Sequence, residues 1–240
     1  MTKWDKKAKN YSRYNENIDS FEQRIFKTLN SLHVNFKNKT LLDVGCGTGV
    51  YTLHLAKECL HIEGLDSSKE MLEILKKDAN KLNLKNINTS LIGWEEFKCE
   101  KDYDFALTTM SPALKFDEDI AKFSDCAKTK IYLGWAGKRD IRIIEALFEA
   151  HGKVYTPPNG ALKIKKWLEK NNKFYHMIPF DEKKIRIRNF DEAVENFSWH
   201  LDIRGITPNK EILMTILNNF CDKNGNITET SINHMNLIIW

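Results

Sequence analysis

The residues whose types and spacing imply chemistry most directly lie in Leu41-Leu-Asp43-Val-Gly45-Cys46-Gly47-Thr-Gly49-Val50. A short apolar run ends in three closely spaced glycines, and apolar residues at helical spacing follow. Glycine lets a ligand approach the backbone, and the helix N-terminus behind it offers unpaired N–H groups to a negative group. Dinucleotide sites space such glycines as G-x-G-x-x-G, with the last one packing helix against strand. Here Val50 stands where that glycine would be, and the third glycine is Gly49. Asp43 precedes the loop, and Asp66 lies 21 residues beyond Gly45, at the end of His61-Ile-Glu-Gly-Leu-Asp66. A carboxylate at that place accepts both hydroxyls of a ribose.

This combination resembles the class I S-adenosylmethionine-dependent methyltransferases. The resemblance covers roughly residues 38–135, through Asp43 to Gly49, Gly64-Leu-Asp66 and the strand Tyr103-Asp-Phe-Ala-Leu-Thr-Thr-Met110. It implies S-adenosylmethionine as cofactor, with Gly45, Gly47 and Gly49 around its methionine part. Asp43 would hold the amino group directly or through water, and Asp66 the ribose; Cys46 and Ser67 are counted with these binding residues. Many members carry an acid just after the third strand, at the adenine amine. In Gly93-Trp94-Glu95 the aligned place is Trp94. Either Trp94 stacks on adenine while Glu95 or a backbone group takes the amine, or Trp94 is an ordinary packing aromatic.

Thr108, Thr109 and Met110 end the fourth strand and line the floor between cofactor and acceptor, by the topological rule for open sheets. Ser111-Pro112 keeps one proline of the Asn-Pro-Pro-Tyr that adenine and glutamine N-methyltransferases carry there, without the first amide or the aromatic. No general base is nominated. The opening Trp4-Asp-Lys-Lys-Ala-Lys-Asn-Tyr11-Ser-Arg-Tyr14 is similar to the first segment of small-molecule methyltransferases, in which an aromatic closes over the cofactor. Tyr11 is the candidate, with packing as the alternative for Tyr11 and Tyr14.

These residues need a frame that repeats. Strands are predicted at Thr40–Val44, His61–Asp66, Ile87–Ile92, Tyr103–Met110 and Lys130–Trp135. Helices are predicted at Ser20–Leu32, Val50–Cys59, from Ser67 or Ser68 to about Ala79, Asp117–Ala127 and Arg139–Ala150. Strands alternating with helices of this length build a parallel, doubly wound sheet. After His151 the pattern loosens into a basic helix (Ala161–Lys170), strand-like Lys173–Phe180 and Lys184–Arg188, helices Asp191–Leu201 and Asn209–Cys221, and a closing strand Ile232–Trp240. The reading is an α/β, doubly wound, mostly parallel seven-stranded sheet with helical lid insertions. It is one domain over 1–240, divided into an N-terminal lid segment (1–37), a cofactor-binding core (38–150), and lid plus C-terminal strands (151–240).

Composition excludes several classes. Of 240 residues 42% are hydrophobic and 29% charged, which is ordinary globular usage and speaks against disorder or coiled coil. A net charge of +4 is too mild to require nucleic acid or a membrane. The segment 161–190 holds nine Lys/Arg against three acids, read as a solvated face, with RNA or an anionic acceptor as the sharper alternative. His176, His200 and His234 have no ligand spacing, so no metal is expected. Five scattered cysteines without a Cys-x-x-Cys pair predict a reduced, cytoplasmic protein. The partner expected is a small-molecule acceptor, without a membrane, in a monomer or homodimer. An RNA methyltransferase and a non-catalytic S-adenosylmethionine-binding protein stay open as alternatives.

Overall fold

The computed structural model describes residues 2–240. Two short helices, α1 (Lys3–Ala8) and α2 (Phe21–Ser31), precede the first strand. Then follow β1 (Thr40–Val44), α3 (Thr52–Leu55), β2 (His61–Asp66), α4 (Lys69–Lys81), β3 (Ile87–Leu91), β4 (Tyr103–Thr109) and α5 (Asp117–Asp125). The chain continues through β5 (Ala127–Asp140), α6 (Arg142–Ala150), α7 (Gly160–Lys170), β6 (His176–Asn189), α8 (Phe190–Asp202), α9 (Lys210–Asn218) and β7 (Asn226–Ile239).

The seven strands lie in the order β3-β2-β1-β4-β5-β7-β6. The pairs β3–β2, β2–β1, β1–β4 and β4–β5 are all parallel. Lys130 and Trp240 exchange both backbone hydrogen bonds, at 2.9 and 3.1 Å, the antiparallel signature, so the sheet is mixed. Leu41, Leu42 and Val44 are buried because β1 has a strand on each side and helices over the faces; this is why β1 reads as a continuous apolar run. The order reverses beside β1, which leaves a crevice at the carboxyl ends of β1 and β4.

Helix α4 shows how the sequence sets one element. Ser68 is its N-cap, with the hydroxyl accepting the Met71 N–H at 3.3 Å. Met71, Leu72, Leu75 and Ala79 then form its buried stripe. Helix α3 is shorter than the predicted Val50–Cys59. The Asn86 amide donates to the carbonyls of Ala56 and Cys59, both at 2.8 Å, and turns the chain toward β2.

The larger departures come after residue 130. Strand β5 runs on to Asp140, so α6 begins three residues later than predicted. The two short strands predicted at 173–180 and 184–188 are one strand, β6, since nothing between Phe180 and Lys184 turns the chain. Strand β7 begins at Asn226 because its inward face alternates Ile227, Glu229, Ser231, Asn233 and Met235, and the three polar members hide the hydrophobic alternation.

The chain divides into two compact units, where the sequence reading has one domain loosening near residue 151. The first comprises residues 1–134, 160–179 and 236–240, the second 135–159 and 180–235. Each boundary at residues 134, 179 and 235 falls inside a strand, so no Pro- or Gly-rich linker marks it. The first unit has Phe123, Leu42, Ala106, Ile164 and Leu168 in its core, and the second has Ile144 and Leu147 of α6 against Phe197, Leu201, Leu213 and Leu217 of α8 and α9.

The cysteines also differ from the reading. Cys99 and Cys126 form a disulfide with Cα atoms 5.8 Å apart, while Cys46, Cys59 and Cys221 are free. The pairing follows from the fold: Tyr103 and Ala127 are register partners across β4 and β5, which brings the residues just before each strand together. Among the described residues no helix is long and apolar enough to cross a membrane.

Candidate active site

The crevice at the switch point holds a cavity of about 290 Å³ within the first unit. One wall is the β1 loop with Val44, Gly45 and Gly47; a second comes from β2 and α4, with Leu65, Asp66, Ser67 and Met71. Ile92, Gly93, Trp94 and Glu95 after β3 form a third, and Thr109, Met110, Ser111, Pro112, Ala113 and Lys115 after β4 a fourth. Trp4 and Tyr11 of the N-terminal segment complete the lining, with ring centroids 6.3 Å apart and nearly perpendicular planes.

The three glycines serve different ends. At Gly45 a side chain would collide with Ser111, whose Cβ lies 2.7 Å from the place of an added Cβ. At Gly49 it would meet Leu75 Cγ at 2.8 Å, so this glycine admits α4 rather than a ligand. At Gly47 an added Cβ would meet nothing within 4 Å. Gly47 also has φ +54°, a left-handed conformation that favours glycine, and its bare face borders the cavity.

The two aspartates flanking this loop differ in their surroundings. Asp66 Oδ2 accepts the Gly47 N–H and Oδ1 the Ser68 N–H, both at 2.8 Å. Burial raises its pKa, and those backbone bonds oppose the rise. Asp43 is 1% exposed; Oδ2 accepts the Thr52 hydroxyl at 2.6 Å, and Oδ1 is buried without a hydrogen-bond partner. Burial pushes its carboxyl up to about 7, against the lowering effect of the Thr52 bond and with a further rise from Asp66. A buried, half-satisfied carboxyl suits an ammonium group. The bare face of Gly47 on the cavity fits the cofactor that the resemblance implies, with the half-satisfied Asp43 carboxyl behind the loop and off the lining.

Of the residues predicted from sequence, Tyr11, Gly45, Gly47, Asp66, Ser67, Trp94, Glu95, Thr109 and Met110 come together on the lining, whereas Asp43, Cys46 and Gly49 are not part of it. Cys46 is buried with Leu53, Leu72 and Leu75, and its Sγ lies 3.0 Å from where a Cβ on Gly64 would stand. Thr108 is fully buried and its hydroxyl donates to the Val44 carbonyl at 2.8 Å, so it braces β1 instead of lining the floor. Tyr14 lies off the cavity, with its ring 4.5 Å from that of His54 and its hydroxyl on Glu16 at 2.8 Å.

Trp94 combines both alternatives left open above. It borders the cavity, yet it is 3% exposed and packs on Phe97 and Phe123. Its indole N–H donates to the Asp119 carbonyl at 3.2 Å, and the Lys122 ammonium sits 4.2 Å from its ring centroid. Lys122 also donates to the carbonyls of Trp94 and Phe97, which fixes this segment to α5. Met110 closes β4 with φ +54°, a strained backbone for a non-glycine residue, and its N–H donates to the Leu133 carbonyl at 2.7 Å. Trp4 carried a signal, an aromatic in a polar opening segment. Met71 and Lys115 carried none, because a helix stripe and a loop lysine look alike wherever they occur.

Comparisons with known proteins bear on the family and the fold. The chain matches the family described as "Methyltransferase domain" over residues 35–220. It is 39% identical over 69 residues to the probable (S)-tetrahydroprotoberberine N-methyltransferase 2 of Papaver bracteatum, a stretch that is 28% of this chain and 19% of that protein. The chain thus spans about a fifth of that relative's length. A SAM-dependent methyltransferase from Aquifex aeolicus superposes with a TM-score of 0.52 at 15% identity, over 96% of this chain and 97% of that one. Coclaurine N-methyltransferase, solved with N-methylheliamine and SAH, gives 0.53 at 15% identity, over 96% of this chain and 75% of that one. At such identities the likeness is one of fold.

Proposed function

The chain belongs to the methyltransferase domain family, and from that premise we propose that it is an S-adenosylmethionine-dependent methyltransferase acting on a small-molecule acceptor. The observation that carries this is the cavity on which the bare face of Gly47 and the carboxylate of Asp66 meet the end of β4.

When bound, S-adenosylmethionine supplies an activated methyl group and a neutral thioether leaving group. Asp66 accepts the ribose hydroxyls with oxygens already oriented by the amides of Gly47 and Ser68. Gly45 and Gly47 admit the methionine part, and Asp43 takes its amino group directly or through water. The segment Ile92–Glu95 encloses adenine, with Glu95 or a backbone group at the amine and Ser67 beside Asp66. Thr109 and Met110 separate this space from Ser111 to Lys115, where the acceptor is held. Trp4 and Tyr11 present aromatic faces, which attract a cation by about 0.5–2 kcal/mol. Alignment and exclusion of water supply the acceleration, since a thioether leaves without an acid.

The size of the cavity and its aromatic wall support a small acceptor over a polynucleotide. Four of the nine cations in 161–190 are also in ion pairs: Lys165 with Glu169, Lys170 with Asp117, Lys184 with Glu182, and Arg188 with Glu229. Titration calorimetry tests the reading. S-adenosylmethionine and S-adenosylhomocysteine should bind, with NAD and ATP far weaker. Tight NAD binding with no response to either sulfur nucleoside would sink it.

A further inference from the structure

One buried serine ties the N-terminal segment to Asp66. Ser68 is 0% exposed, and its N–H donates to Asp66 Oδ1 at 2.8 Å. Its hydroxyl donates to Asp5 Oδ1 at 2.6 Å. The same Asp5 oxygen accepts the Glu70 N–H at 3.3 Å. Asp5 thus places a negative charge at the N-terminus of the 13-residue α4, where backbone N–H groups have no partner within the helix. Its other oxygen accepts the Thr2 N–H at 2.6 Å and closes the capping box of α1. Burial raises the Asp5 carboxyl, but the bonds from Ser68, Thr2 and Glu70 prevail and hold it at about 2. The neighbouring Trp4 lines the cavity.

The rest of the segment is tied down beyond this point. The Thr48 hydroxyl, in the glycine loop, donates to the Ser12 carbonyl at 2.6 Å, and Arg13 pairs with Asp78 of α4 at 2.6 Å. Of these three ties, the one from Asp5 shares Ser68 with Asp66.

We propose that Asp5 is a positioning residue which, through Ser68, latches α1 over the cofactor site and sets how fast the nucleoside product leaves. The proposal rests on the cofactor reading above and names the residue that couples the N-terminal segment to it. The physical reason is that α1 cannot lift Trp4 off the cavity without breaking a hydrogen bond to a charged acceptor and exposing the N-terminus of α4. Loss of such a bond speeds an opening roughly ten- to a hundredfold.

The test measures S-adenosylhomocysteine dissociation by stopped flow, and amide exchange over residues 2–14, in the wild type and in Asp5→Ala, Asp5→Asn and Thr2→Ala. Asp5→Ala should release the ligand roughly ten- to a hundredfold faster and exchange faster over 2–14. Its melting temperature should stay within a few degrees of wild type. Asp5→Asn keeps an acceptor for Ser68 and should recover part of the retention. Thr2→Ala breaks the capping box without touching Ser68 and should release the ligand at nearly the wild-type rate. Two results would overturn the latch alone: wild-type dissociation in Asp5→Ala, or equal acceleration by Thr2→Ala, which would reduce Asp5 to stabilising a short helix. A wild-type protein that does not bind S-adenosylhomocysteine would instead overturn the cofactor reading, and the latch with it.

Discussion

Two buried carboxylates, one in each compact unit, have opposite surroundings. Asp43, at the end of β1, has one oxygen on Thr52, the other without a partner, and a carboxyl pushed up to about 7 by burial. Glu229, in β7, is 4% exposed and forms an ion pair with Arg188, while Asn233, four residues further along the strand, accepts from Arg139 at 2.9 Å. An acid whose desolvation is compensated inside its own unit needs no ligand and serves architecture. An acid left half-satisfied beside a glycine loop is costly by itself, and a cationic ligand offsets that cost.

The sharpest way to break this contrast is at Gly47. Gly47→Val puts a branched side chain where nothing stands within 4 Å and should abolish detectable S-adenosylhomocysteine binding in calorimetry. Its circular dichroism should remain that of the α/β fold. Retained binding would mean the ligand avoids the loop. Asp66→Ala comes next and should weaken affinity by about 2–4 kcal/mol through the lost ribose bonds. An unchanged Kd would assign the ribose to another group.

On the other side, Glu229→Gln leaves Arg188 facing a neutral amide in a mostly buried place. It should lower unfolding stability in urea by roughly 2–3 kcal/mol and leave the S-adenosylhomocysteine Kd within a factor of two. A matching loss of affinity would erase the distinction between the two acids.

The subtlest effect is in pH. Asp43 has a folded-state pKa of about 7 against an ordinary value of 3.8, so folding favours its protonated form. That contribution is complete below the ordinary value and is lost as pH rises through about 7. Wild-type stability relative to Asp43→Asn should therefore fall between those limits by at most ~1.4 kcal/mol per pH unit, and then level off. Parallel stability–pH curves for the two proteins would show that Asp43 ionises freely.

The same contrast explains how much was legible in the sequence. Strands β1 to β4 are short and each is followed within two residues by glycine or serine, and α4 opens on the Ser68 cap with an apolar stripe, so periodicity and caps reveal them within a residue or two. Asp66 and Gly47 were readable because the glycine motif and the acid after β2 sit at a fixed spacing, and both line the cavity. Strand β7 was not fully readable, since Glu229, Ser231 and Asn233 occupy its buried face and their partners are distant in sequence. Strand β6 leaves Ile185 and Ile187 at 59% and 69% exposure, which inverts the usual rule. Cys46 and Gly49 lie off the cavity lining for one reason: a motif names positions in a loop, but only packing against Gly64 and Leu75 shows which of them face inward.

The three reasons behind the glycines also bear on how this loop can change in descent. An alanine at Gly45 collides with Ser111 and one at Gly49 with Leu75, so each lesion has a neighbour that a second mutation can trim. Both would still pay roughly 1–2 kcal/mol for a left-handed backbone, yet a lineage can cross such a valley in two steps. At Gly47 no protein neighbour exists to be trimmed, because a side chain there would obstruct only what the cavity holds. Its substitution has no intragenic suppressor within the loop, so Gly47 should be the last of the three to drift while methyl transfer is under selection, and the first to go once it is not.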